Sequence, residues 1–275
     1  MRPPNCKVIL ITGASSGIGK ACAELLTAED HIVYGTSRRP SAMPTEYRML
    51  EMDVTRDDSV QRAVERVLAE SGTLDVVVNN AGYALAGSIE DTTLEEAQQQ
   101  LDTNFMGTVR VCKAVLPPMR AQGSGLLINV SSLGGALGLP FQAFYSASKF
   151  ALEGFTESLR QEVAPFGIQA TLIQPGDVRT PITDNRLQAR QSAPGSAYRA
   201  CFEAALRIIE KEEQAGVAPE QVARLVLALV NHPSVAVRYT VGHFSQRAST
   251  ASKPFLPSRM FEKLVMSFYG LSRRS

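Results

Sequence analysis

The sequence predicts one α/β domain, a doubly wound parallel sheet of seven strands with helices on both faces. Three observations predict it. Seven short apolar runs (Val8–Ile11, His31–Thr36, Arg48–Met52, Leu74–Asn79, Gly125–Val130, Ile168–Ile173 and Tyr239–Val241) alternate with longer stretches of helical period. Strands covered on both faces read as continuous apolar runs of this kind. Hydrophobic residues make up 44% of the 275 and charged residues 20%, enough apolar material for one large core. No repeat, low-complexity tract or Pro/Gly/Ser linker divides residues 1–275.

The elements follow in order. Val8–Ile11 stops at Thr12-Gly13, and a Gly-rich turn opens into a helix over Lys20–Thr27. Asp57–Ser71 places Val60, Val64, Val67 and Leu68 on one helical face, with N-cap chemistry expected from Thr55-Arg56-Asp57-Asp58. Phe144–Arg160 has an apolar face and no internal Pro. Two regions fall outside the alternation. Pro181–Gln214 is expected to hold no strand; Pro194-Gly195 makes a turn, then Tyr198, Phe202, Ala205 and Ile209 form a helical stripe. From Ala251 onward, Phe261, Leu264, Val265 and Phe268 recur at i, i+3, i+4, i+7. Both regions, 181–214 as a helical insert and 251–275 as a C-terminal extension, read equally as walls of a substrate pocket or as core and dimer-contact helices.

Composition excludes several classes. Lys plus Arg is 28 and Asp plus Glu is 27, so the net charge of +1 offers no grip on nucleic acid. Cys6, Cys22, Cys112 and Cys201 lie far apart without metal-ligand spacing, so neither a disulfide framework nor a metal site is expected. The first apolar run is far short of the ~20 residues that span a bilayer, and the expectation is a soluble cytoplasmic protein. Residues 251–275 carry Lys253, Arg259, Lys263, Arg273 and Arg274 against Glu262, with Phe255, Phe261, Phe268 and Tyr269. This segment reads as a helix at a pocket mouth or dimer interface, with peripheral contact to a membrane surface as the alternative.

The turn Thr12-Gly13-Ala14-Ser15-Ser16-Gly17-Ile18-Gly19 has the logic of a phosphate site. Glycines let the backbone approach a pyrophosphate, and the helix start presents free N–H groups and a favourable dipole. The spacing is G-x-x-x-G-x-G, not G-x-G-x-x-G, and no G-K-[ST] closes it. Taken alone it could be a connection without a ligand. The second run ends in Ser37-Arg38-Arg39 with no carboxylate. An acidic residue there selects NAD by binding the ribose 2′-OH, whereas Arg accommodates the 2′-phosphate of NADP. NADP is therefore expected, with Arg38 as the main contact, Arg39 in reserve and Ser15 adding a hydroxyl. The alternative is two solvated loop charges.

Tyr145 and Lys149 are four apart and share one helical face. A free Tyr has a pKa of about 10, and a nearby ammonium, together with the positive charge of an oxidised nicotinamide, is expected to lower it. In a reduction the same phenol gives its proton to the developing alkoxide. Ser132 ends the run Leu126–Val130, at a sheet edge where its hydroxyl can meet a substrate oxygen; Ser131 is the adjacent competitor. His31, His232 and His243 lie outside these motifs and read as structural.

With these residues assembled, the chain resembles the single-domain branch of the short-chain dehydrogenase/reductase family, a Rossmann fold. The Gly-rich turn is followed in the family's order by Asp53-Val54, Asn79-Asn80-Ala81-Gly82, Asn104, Ser132, Tyr145-x-x-x-Lys149 and Pro175-Gly176-Asp177-Val178-Arg179-Thr180. The resemblance implies that Gly13, Ser15, Ser16, Gly17, Ile18 and Gly19 cradle the pyrophosphate. It has Asp53 accept from the adenine amino group beside Val54, while Asn79, Ala81 and Gly82 line the adenosine ribose and hold the sheet together. Pro175, Gly176, Val178 and Thr180 would flank the nicotinamide, and Lys149 would hold its ribose hydroxyls. The family pattern selects Ser132, thirteen residues before Tyr145. It makes Asn104 the fourth catalytic residue, holding a water that links Lys149 to solvent. On their own, Asp53 could be a helix cap and Asn104 a kink or cap residue.

The implied function is an NADP(H)-dependent oxidoreductase interconverting an alcohol and a ketone or aldehyde, with Tyr145 as general acid/base. Ser132–Phe141 and Tyr145–Gly154 look most like the hydroxysteroid and retinol dehydrogenase branch. That implies a bulky lipophilic substrate, with Leu133, Leu137, Leu139 and Phe141 as pocket walls. The rivals are a general carbonyl or 3-oxoacyl-thioester reductase and a non-catalytic NADP(H)-binding regulatory protein. The resemblance also implies a homodimer, or a homotetramer, joined through the helices that hold Asn104 and Tyr145.

Overall fold

Every residue of β1 (Val8–Ile11) is buried, and the strand feeds both halves of the core. Ile9 and Ile11 pack with Cys22 and Leu26 of α1 (Gly17–Ala28), while Val8 and Leu10 face the opposite layer. The computed structural model describes residues 5–40 and 45–271, so Arg273 and Arg274 of the basic C-terminal run lie outside the described residues.

After β1 and α1 come β2 (Ile32–Ser37), β3 (Arg48–Glu51), α2 (Asp57–Ser71), β4 (Val76–Asn79) and β5 (Leu85–Ala86). Next are α3 (Leu94–Leu101), α4 (Gly107–Gln122), β6 (Gly125–Val130), α5 (Ala143–Val163), β7 (Ile168–Pro175) and β8 (Leu187–Gln188). The chain closes with α6 (Arg199–Gln214), α7 (Pro219–Val230), β9 (Arg238–Val241), α8 (Phe244–Ser252) and α9 (Ser258–Phe268). Seven strands form one parallel sheet in the order β3-β2-β1-β4-β6-β7-β9. Strand order reverses between β1 and β4, and ligands of open α/β sheets bind outside the strand ends at such a point. On one face α1 is joined by Val222, Val226 and Leu229 of α7. The other face is covered by Val60, Val64 and Val67 of α2, Val111 and Val115 of α4, and Leu159 and Val163 of α5. No helix among the described residues is long and apolar enough to cross a membrane.

The seven expected strands are present, with ends shifted by at most two residues. Four local expectations are corrected. The stretch 181–214 does hold a strand: β8 pairs in parallel with β5, Leu85 opposite Leu187 and Ala86 opposite Gln188. A strand of two residues is too short to show as an apolar run. The N-cap of α2 is Arg56, without a side-chain cap, and Asp57 and Asp58 act on the dipole of its first turn instead. Tyr198 drops out of its stripe because it lies at the cap of α6, 38% exposed, while Phe202, Ala205 and Ile209 are buried. The C-terminal extension already begins at α8, just after Gly242 turns the chain at φ 151°.

A buried polar chain braces the sheet against α5. Asn79 Nδ2 donates to Asn129 Oδ1 at 2.8 Å, and Asn129 Nδ2 donates to Thr156 Oγ1 at 2.8 Å. Replacing Asn129 with Leu removes the centre of this chain and strands the Asn79 amide in the core. The expected cost is about 1–3 kcal/mol, read as a lower urea midpoint at unchanged m-value.

Candidate active site

The crevice at the switch point is held by a polar latch between the ends of β1 and β4. Thr12 Oγ1 accepts from the backbone N–H of Asn80 at 2.9 Å and of Ala81 at 2.8 Å. In return Asn80 Nδ2 donates to the carbonyls of Thr12 at 2.9 Å and Gly13 at 3.1 Å. Gly13 and Gly17 take φ of 67° and 54°, the left-handed region that favours glycine. At Gly19 the reason is space, since a Cβ would lie 2.3 Å from the Gly13 carbonyl oxygen. Ser15 and Ser16 are exposed at the start of α1. Ser16, at the N-cap, makes no side-chain cap bond, and the first turn holds no acidic residue. The helix start is thus left to an outside anion. These features fit a dinucleotide pyrophosphate.

Arg38 and Arg39 are exposed beyond β2, and Ser37 Oγ accepts from the Arg39 N–H at 3.2 Å. Asp53 Oδ1 accepts from Thr55 N at 2.9 Å and Thr55 Oγ1 at 2.7 Å. Burial alone would raise this carboxyl, but the Thr55 bonds and the Arg38 and Arg56 charges hold it below its ordinary value. Asp53 therefore does serve as a local turn cap, and Arg38 stands close enough to share its field. At two of the expected cofactor positions the side chain is turned into the core. Val54 is in the core beneath α4, where a Cβ on Gly107 would meet it at 2.8 Å. The Asn79 side chain points into the sheet brace, and its neighbour Asn80 is the residue at the crevice.

Ser132, Tyr145 and Lys149 meet beyond the end of β6. Ser132 Oγ accepts from Gly134 N at 3.0 Å, which fixes a tight turn over Leu133–Gly135. Its hydroxyl also bonds the Tyr145 phenol. A Cβ on Gly134 would lie 3.2 Å from the Tyr145 ring, so this turn passes close to the phenol. Lys149 Nζ donates to the Val130 carbonyl at 2.8 Å and stands 5.9 Å from the centre of the Tyr145 ring. Burial lowers Lys149 to about 8, against the opposing pull of Glu153 one turn further along α5. Tyr145 moves the other way from the expectation. Burial raises its pKa, and Glu213 and Asp177 add to the rise against the Ser132 bond and the Arg186 charge. The chain's own groups thus keep the phenol protonated, as a proton donor requires.

Asn104 sits 1% exposed in a π-helical turn, Asp102–Met106, that joins α3 to α4. Its Oδ1 accepts from Tyr83 N at 3.0 Å, and its Nδ2 donates to Tyr83 O at 3.0 Å and to Ser148 Oγ at 3.3 Å. Both amide protons are used, and the side chain positions the Gly82–Tyr83 wall.

One cavity of about 470 Å³ brings the expected catalytic residues together with part of the expected cofactor site. Ile18, Gly82, Asn104, Ser132, Tyr145, Lys149, Pro175, Gly176, Val178 and Thr180 all line it. Its outer wall is apolar: Leu133, Leu137 and Leu139 face Phe261, Leu264, Val265 and Phe268 of α9. Phe141 instead packs against Phe202 of α6, ring centres 5.6 Å apart. The C-terminal stripe is therefore a pocket wall, and α6 adds Ile209, Glu212 and Glu213. The motif reading missed Thr12, Asn80, Tyr83 and Gln246. Asn80 lies inside a quoted motif, but nothing in the sequence announces Gln246, which reaches Asp177 from 69 residues away.

The short chain dehydrogenase family model matches residues 7–191. A 3-ketodihydrosphingosine reductase of Bacteroides thetaiotaomicron is 46% identical over 265 residues, which cover 96% of this chain and 98% of that protein. The human 17-beta-hydroxysteroid dehydrogenase type 1 is 35% identical over 252 residues, covering 84% and 76% respectively. Among solved structures, a short-chain dehydrogenase from Streptomyces avermitilis superposes with a TM-score of 0.81 at 30% identity, over 96% of this chain and 99% of that one. Fold, motif order and relatives agree, and the chain belongs to the short-chain dehydrogenase family.

Proposed function

We propose that this protein is an NADPH-dependent reductase of a ketone carried on a long apolar chain. The observation that carries the reading is the convergence of Ser132, Tyr145 and Lys149 on the wall of one largely apolar cavity. Its volume of about 470 Å³ lies in the range of small-molecule sites. When bound, the nicotinamide supplies the hydride. Ser132 and Tyr145 orient the ketone oxygen, and Tyr145 delivers its proton to the oxygen as negative charge develops there. Lys149 holds positive charge beside the phenol. The name of the 46% identical relative makes 3-ketodihydrosphingosine the first substrate to test. The steroid- or retinoid-like alternative keeps the support of the 35% identical hydroxysteroid dehydrogenase.

The choice of NADPH rests on Arg38 and Arg39 beyond β2, where the chain has no carboxylate to repel a 2′-phosphate. A homodimer face on α4 and α5 is part of the same proposal, supported by Met106 and Phe150, which stand 40% and 43% exposed beside and on these helices.

Tyr145→Phe is expected to lower kcat for ketone reduction by about 10²- to 10⁴-fold while NADPH binding, followed by fluorescence titration, persists. Equal turnover by variant and parent would remove Tyr145 from the chemistry and return the non-catalytic reading. Arg38→Asp combined with Arg39→Ala should lower the NADPH-to-NADH ratio of kcat/KM by about tenfold or more; an unaltered ratio refutes the 2′-phosphate contact. Lys149 is cationic below its pKa of about 8 and loses that charge above it. Reductive kcat/KM should therefore fall as pH rises through about 8, whereas a profile flat well beyond that value would show that Lys149 does not set the limb.

A further inference from the structure

The cavity is apolar along α9 and the Leu133–Leu139 segment, but it is acidic where β7 ends and α6 closes. Asp177, directly after Pro175-Gly176, and Glu212 and Glu213, from the last turn of α6, all line it. Glu213 is compensated. It ion-pairs with Arg186, whose side chain is 2% exposed, and accepts from Thr183 Oγ1 at 2.7 Å. Asp177 and Glu212 have no cationic side chain within ion-pair distance among the described residues.

Asp177 is nevertheless held firmly. The Gln246 amide of α8 clamps it from both sides, donating to Oδ2 and accepting from the Asp177 N–H at 3.3 Å. Gly176 makes room for this clamp, since a Cβ there would lie 2.2 Å from Gln246 Oε1. Oδ1 is left without a hydrogen bond among the described residues. Burial raises Asp177 to about 6, with Glu213 and Glu212 adding to the rise and Gln246 and His243 opposing it, so the group is anionic at neutral pH. It lines the same cavity as Tyr145, and its charge acts on that phenol.

A fixed carboxylate facing an apolar cavity without a counter-ion is costly, and a cationic ligand group offsets that cost. An ammonium supplies three donors and the missing charge. The same wall repels anionic head groups, which disfavours phosphate-bearing thioesters. We propose that Asp177, with Glu212 beside it, is the specificity-determining carboxylate that receives an ammonium group borne next to the substrate's ketone. The inference rests on the ketone-reductase reading and deepens it. Ser132 and Tyr145, the Asp177–Glu212 wall and the apolar face of α9 line one cavity, so a ketone oxygen, a neighbouring amine and an apolar chain each have a matching surface there.

The test compares two ketones of equal chain length with the purified full chain and NADPH. One is a 2-amino-1-hydroxy-3-ketone, the other its des-amino counterpart, and the readout is the ratio of their kcat/KM values. The parent is expected to prefer the amine by about 10- to 100-fold, and Asp177→Asn should bring the ratio close to one. Equal efficiency in the parent, or an undiminished preference in Asp177→Asn, overturns the inference and leaves the reductase reading standing. Reduction of neither ketone overturns both. Should Asp177→Asn not fold, Glu212→Gln serves in its place with a severalfold drop in the same ratio expected, and an unmoved ratio counts against the proposal.

Discussion

The Thr12–Asn80 latch is the contact on which the rest of the site depends. A doubly wound sheet necessarily leaves a crevice where its strand order reverses, because connections run outward on either side. Left unfilled, the ends of β1 and β4 would expose backbone donors and acceptors. Thr12 Oγ1 and the Asn80 amide satisfy four of these groups reciprocally. This also sets the distance between the Gly-rich turn and the Asn80–Gly82 turn. Gly19 follows from the same constraint, as the Gly13 carbonyl occupies the place a Cβ would need. The Gly-rich turn is thus held in place by the chain's own hydrogen bonds.

A second constraint acts at the chemistry. One face of α5 must present a phenol and an ammonium together, and both are drawn away from water. Burial alone moves the two groups in opposite senses, raising Tyr145 and lowering Lys149, which brings their pKa values apart rather than together. The result is a neutral acid beside a cation that has only a modest hold on its proton. The Val130 carbonyl and Glu153 offset part of the cost of burying that cation. A protonated phenol is the form that the proposed reduction requires.

Most of the frame was legible in the sequence because its signals are local. Apolar runs of four to eight residues mark strands buried on both faces, and β1 and β6 coincide with their expected bounds. The Gly-rich turn and the Tyr145–Lys149 spacing are local too. What stayed hidden depends on pairing across long separations. β8 is two residues long and exists only because β5 lies beside it. Asn79 and Asn80 are adjacent and chemically identical, yet strand pleat sends one into the core and the other to the crevice. The rise at Tyr145 was hidden as well, because sequence spacing places Lys149 nearby but does not show the burial that raises the phenol.

The C-terminal helices show why the substrate side resists a motif reading. α9 contributes to the pocket through apolar residues at helical spacing, a pattern that any amphipathic helix shares. Its exposed side chains, Leu264 at 54% and Phe268 at 53%, are the same ones that line the cavity wall, so the wall is also a mouth. α8 supplies the one polar clamp described on Asp177, Gln246, and places it against the turn that follows β7. Beyond β7, α7 and β9 complete the sheet and its cover, whereas α6, α8 and α9 act on the reaction centre from outside. A frame that serves many substrates needs only these outer helices to change, because Ser132, Tyr145 and Lys149 take their positions from β6 and α5. The outer wall of the cavity is thus set by α6, α8 and α9 together with the turn after β7.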